Sequence, residues 1–136
     1  MTESGSAIRS RHVSTVIRAT TAQVYAFAAD PDNLPRWAAG LAQSEVHRDG
    51  DLLRVDSPMG TVTVQFAQPN SLGVLDHTVT LPSGTSVVNP MRVVEHPDGA
   101  EIIFTVRQLE LTDAEFDRDC GIVAADLERL ANLLAG

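Results

Sequence analysis

The sequence predicts an α+β fold: a curved antiparallel sheet of about seven strands, two short N-terminal helices and one long C-terminal helix gripped by the sheet. Three observations predict it. Short runs of period-two alternation, separated by Pro, Gly, Asn and Asp turns, fill the middle of the chain. These strands follow one another through hairpin-length turns, which makes an antiparallel meander rather than βαβ units. A single apolar stripe at spacings of four and three occupies the last twenty-odd residues.

Residues 1–10 contain Ser and Gly and read as a flexible tail before one domain spanning 11–136. From Arg11 to Arg18 the chain alternates, with Val13 and Ile17 on one side and His12, Ser14 and Val16 on the other. Thr20 and Thr21 are cap candidates for a helix over Ala22–Ala29. Asp30-Pro31 then opens a helical turn that Pro35 keeps short, delivering Trp37 inward. Strands are expected at Leu41–Arg48, Leu52–Ser57, Thr61–Gln68, Gly73–Leu81, Ser86–Glu95 and Glu101–Leu109. Asn89-Pro90 removes a ladder donor within the fifth of these, so a bulge or an edge is expected there.

Thr112-Asp113-Ala114-Glu115 is a capping box, and acidic residues load the helix start, where the dipole favours them. Phe116, Cys120, Val123, Leu127, Leu130 and Leu134 form the stripe of a helix of about 20 residues, or about 30 Å. Gly121 lies inside it at a cost of about 1 kcal/mol relative to Ala, as though a strand or ligand came close.

With 136 residues and a net charge of −8, the chain makes a poor partner for nucleic acid or an anionic membrane. All ten basic residues are arginine, which reflects coding composition rather than mechanism. No stretch reaches the roughly 18 apolar residues of a membrane helix, and no secretory signal is seen, so a cytoplasmic location is expected. One cysteine excludes an internal disulfide. Asp113, Glu115, Asp117 and Asp119 alternate like a calcium loop, but Arg118 stands where glycine is needed. Histidines 12, 47, 77 and 96 have no metal-ligand spacing, and no nucleophile elbow, phosphate loop or dinucleotide fingerprint is present. Neither a metal nor a cofactor is expected.

The order of elements resembles the START-like (SRPBCC) superfamily of polyketide cyclase/dehydrase and lipid transport proteins, with its helix-grip, Bet v 1-like fold. The likeness is carried by Thr20-Thr21-Ala22-Gln23-Val24-Tyr25, the Asp30–Trp37 segment, Gly73-Val74-Leu75-Asp76-His77 and the terminal helix. It runs from about Val13 to Leu134. The resemblance implies an internal cavity between sheet and helix that holds a lipid, sterol, polyketide or hormone. Some members are cyclases and others protein-interaction modules, and there is no shared catalytic set.

A bent sheet under one standing-off helix cannot fill its concave side, and such pockets run to about 300–1,000 Å³. Val55, Val64, Phe66, Leu75, Val79 and Met91 are candidate lining from the sheet. Phe104, Phe116, Cys120 and Val123 join them, with Tyr25 and Trp37 near one mouth. Each reads equally as plain core. His77 alternates with Leu75 and Val79 and so faces the apolar side. It is either a structural histidine or an acid, base or ligand donor. Arg92 clamps a carboxylate or enolate if it points inward and is a solvated strand residue if outward. Tyr25 either orients a ligand or wets its tip. Cys120, on the buried stripe, is inert packing. The expected function is non-catalytic binding or transport of a hydrophobic small molecule by a monomer or homodimer. A cyclase or dehydratase working through His77, with Tyr25 or Arg92, is the alternative, and an interaction module the third.

Overall fold

The computed structural model describes residues 8–38, 45–57 and 60–135. β1 (Ser10–Ile17) turns Val13 and Ile17 inward and leaves His12, Ser14 and Val16 outside, as alternation requires. Thr20 caps α1 (Thr21–Ala29): its hydroxyl accepts from the Gln23 N–H at 3.1 Å, and Gln23 Oε1 accepts from the Thr20 N–H at 2.9 Å. Asp30 caps a 3₁₀ turn at Pro31–Asn33, accepting from the Asp32 N–H at 3.0 Å. α2 (Leu34–Trp37) follows and buries Leu34 and Trp37.

The sheet continues with β2 (Glu45–Asp49), β3 (Leu52–Ser57), β4 (Gly60–Phe66) and β5 (His77–Thr80). β6 (Ser86–Asn89), β7 (Met91–His96) and β8 (Gly99–Arg107) complete it. The part of the second strand expected at residues 41–44 lies outside the described residues. All pairings are antiparallel, in the orders β2-β3-β4-β5-β6 and β1-β8-β7.

The two groups join in one ladder. His77 faces Asn89 and Val74 faces Arg92, so three residues along one strand match three along the other. β6 and β7 are therefore a single run broken only at Pro90, and the eight strands among the described residues make seven runs. Pro90 offers no N–H, but its carbonyl accepts from the Thr105 N–H at 2.8 Å. No bulge forms there. Beyond Pro90 toward Ser86 the run keeps β5 and parts from β8, which leaves an edge on that side.

Gly73 makes the junction possible. At φ +74° its carbonyl accepts from the Val93 N–H at 2.9 Å, and an added Cβ would collide with the Val93 carbonyl oxygen. Gly73→Ala is therefore expected to cost about 1–3 kcal/mol, read as a lower urea midpoint with unchanged slope. A change within error would remove this account.

α3 (Asp113–Leu134) starts at the expected box: the Thr112 hydroxyl accepts from the Glu115 N–H at 3.1 Å, and Glu115 Oε1 accepts from the Thr112 N–H at 2.8 Å. The helix packs against β1, β8 and α2. Its first turns are tied to β1 and the residue before it, with Arg9 on Asp113 at 3.2 Å and Arg11 on Asp117 at 3.0 Å. Both guanidinium groups lie 5.1 Å from the Phe116 ring centroid. At the other end Leu127, Leu130 and Ala131 join Ile17, Val24, Trp37, Met91 and Ile102 in the main core. Gly121 does not admit a neighbour: it is exposed, with no atom within 4 Å of where a Cβ would stand. Among the described residues no helix is long and apolar enough to cross a membrane.

Candidate functional site

The concave face of the sheet can be followed row by row from the pairing register. Leu53, Val64, Val79 and Val87 form one row across β3 to β6. The next holds Phe66, His77 and Asn89. Beyond it Met91, Phe104 and Val13 lie abreast, with Leu75 bonded to Met91 by a backbone hydrogen bond of 2.8 Å. Packing is uneven along this face. Ile17, Met91, Ile102, Leu127 and Leu130 have no exposed surface, so that end is solid. Phe66, Val64, Val79, Val87, Asn89 and Phe104, with Val123 from α3, are only partly buried although they point inward.

His77 stands between these regimes. It is 8% exposed, and its Nδ1 lies 3.1 Å from the carbonyl oxygen of Leu75, two residues earlier in the chain. Because a carbonyl only accepts, Nδ1 carries the hydrogen and Nε2 is left as an acceptor. No described residue donates to Nε2. The ring sits between Phe66, with centroids 5.0 Å apart, and Phe104 at 5.2 Å, edge-on. Burial lowers its pKa, opposed by the Leu75 carbonyl and the charge of Asp76, so the imidazole is held neutral.

Other expected site residues divide. Val55, Leu75, Met91, Phe116 and Cys120 are buried, and burial raises the Cys120 pKa, as for an inert thiol. Trp37 is 4% exposed, and its Nε1–H has no acceptor among the described residues, which is unusual for a buried donor. Tyr25 is half-buried, and its hydroxyl accepts from the Asn70 N–H at 3.0 Å, tying α1 to the turn before β5.

Arg92 does not enter this face. It is exposed and forks onto Asp76, Nε to Oδ1 and Nη2 to Oδ2, both at 2.8 Å. Asp76 Oδ1 also accepts from the Met91 N–H at 3.0 Å. The Arg92 bond is the main cause that lowers the Asp76 pKa. Strand alternation explains the outcome, since Met91 and Val93 on either side are buried. Arg92→Ala is expected to lower stability by about 1 kcal/mol or less in urea unfolding, because the pair is half in solvent. A loss of several kcal/mol would remove this account.

Asn89 is the residue the sequence reading missed: the register sets it directly opposite His77 on the same face. Its signal was obscured by Pro90, which left the facing of that strand open. Asp119 is a second. It is partly buried on α3, and burial, then the charge of Asp126, raises its pKa. Two clefts lie elsewhere. One, where β6 parts from β8, is lined by Ile8, Ser10, Ser86, Val87, Val88, Arg107 and Leu109. The other lies between the start of α1 and the β7–β8 turn.

The family model for polyketide cyclase/dehydrase and lipid transport matches residues 10–134. No curated protein matches the chain. Among solved structures, protein CV1439 from Chromobacterium violaceum is 14% identical with a TM-score of 0.71, covering 93% of this chain and 98% of that one. Ara h 8.0201 is 11% identical with a TM-score of 0.66, covering 94% and 98%. DynU16, a protein of the dynemicin biosynthetic locus, is 14% identical with a TM-score of 0.69, covering 92% of this chain and 46% of that one. At these identities the likeness is one of fold.

Proposed function

We propose, from the premise that this chain belongs to the polyketide cyclase/dehydrase and lipid transport family, that it binds a hydrophobic small molecule between the concave face of the sheet and α3. One observation carries the reading. The inward-facing residues around Phe66, Val79, Phe104 and Val123 retain accessible surface, whereas those at the Leu130 end have none. Apolar walls pointing inward without full burial leave surface that an apolar guest would cover, at about 25 cal/mol per Å².

Binding is favoured over proton-transfer chemistry because the ionisable candidates do not converge. His77 is on the palm, Tyr25 bonds the Asn70 backbone, and Arg92 is outside with Asp76. A general acid–base pair needs both groups within hydrogen-bond reach of one substrate.

The test is thermal unfolding against fatty acids, sterols and aromatic polyketides. A ligand present at a hundred times its Kd is expected to add about 2.7 kcal/mol of stability, or roughly 5–10 °C for a chain of this size. No rise with any of them at saturating dose removes the reading.

A further inference from the structure

We infer that the ligand is neutral and anchors by donating a hydroxyl hydrogen to Nε2 of His77 beside the Asn89 carboxamide, so that phenols, enols and alcohols are accepted and carboxylates refused. The inference rests on the ligand-binding reading and narrows it to a chemical class.

The acceptor is fixed by geometry. The Leu75 carbonyl holds the hydrogen of His77 on Nδ1, which leaves the Nε2 lone pair for a donor. Phe66 and Phe104 pack on the ring, and turning it over would break the Leu75 bond. A neutral imidazole in an apolar wall has little to offer an anion, and burial opposes the protonation that would change this. Asn89, abreast of His77 on the neighbouring strand, supplies an uncharged amide that both donates and accepts. The two planar rings that flank the histidine suit an aromatic guest, which gains from offset or edge-on contact.

A carboxylate would also need a cation, and those nearby are engaged or distant. Arg92 is outside on Asp76, and Arg129 Nη1 donates to Asp126 at 3.1 Å and to the Trp37 carbonyl at 2.8 Å. Arg11 faces the helix but is held by Asp117 and Phe116. Arg48 shares the concave side by register, yet it is exposed on an edge strand three strands from His77. Asp119 adds a partly buried carboxyl to the same helix. With a net charge of −8, the whole chain opposes an anion as well.

The test uses one ring system with three substituents: 2-naphthol, 2-methoxynaphthalene and 2-naphthoate, titrated into the full-length protein at neutral pH by calorimetry. 2-Naphthol is expected to bind about tenfold more tightly than its methyl ether, which keeps the oxygen and lacks the hydrogen, and 2-naphthoate weakest of all. In His77→Phe, which keeps an aromatic ring, the gap between naphthol and ether should close. Should that variant fail to fold, the Nε2 resonance of ¹⁵N-labelled wild type gives the same answer, shifting upfield with 2-naphthol and not with the ether. Equal binding of naphthol and ether, or preferential binding of naphthoate, overturns the inference and leaves hydrophobic binding standing. Binding of none of the three overturns this inference, whereas the binding reading falls only if the fatty acids, sterols and polyketides fail as well.

Discussion

Acidification from pH 7 to pH 5 is expected to destabilise this protein through His77, and replacing that residue should abolish this part of the loss. The folded pKa of His77 lies below its ordinary value of 6.5, chiefly because burial penalises the imidazolium. A base with a depressed folded pKa is protonated more readily in the unfolded chain. Stability is therefore level above the unfolded value and falls as pH drops through 6.5 toward the folded pKa. The slope in that window approaches about 1.4 kcal/mol per pH unit for one proton. Among the described residues Phe66 and Phe104 pack on the ring and Asn89 lies opposite it in register, and none of the three titrates; Asp76, on the other face, partly offsets the penalty. Urea unfolding of wild type and His77→Phe at pH 7, 6 and 5 checks this, because all other titrating groups are common to both. Parallel pH profiles would show that His77 charges as easily in the fold as out of it.

Truncation of Phe116 is expected to be the other large effect. Its side chain has no exposed surface, closes a cluster with Val106 and Cys120, and carries the guanidinium groups of Arg9 and Arg11 on its ring. Phe116→Ala removes this contact and leaves a void, so about 3–5 kcal/mol should be lost, against a total stability of about 5–15 kcal/mol for a domain. Phe116→Leu, which fills much of the space, should cost less than half of that. If alanine costs no more than leucine, the start of α3 is not anchored through this ring.

The sequence made the helix ends readable because caps are local. Thr112 with Glu115 and Asp30 with Pro31 act within three residues, so the spacing of residue types is the mechanism itself. Alternation likewise placed His77 inward and Asp76 outward, since a strand's two faces are set by covalent geometry. Arg92 and Asn89 were not readable in that way, because Pro90 interrupts the pattern between them. Their facing follows from the register with β5 and β8, a pairing between residues far apart in the chain.

By itself the amino-acid sequence determined the class of fold, the capped terminal helix with its stripe, and the faces of strand residues wherever alternation is unbroken, as at His77 and Asp76. The tertiary structure alone decided that β6 and β7 form one run, that Arg92 is taken by Asp76, and that Asn89 stands beside His77. It also decided that packing is complete at the Leu130 end and incomplete around Phe104. The physical reason is range: caps and alternation are properties of adjacent bonds, whereas burial, tautomer and ion pairing depend on which distant strand arrives alongside.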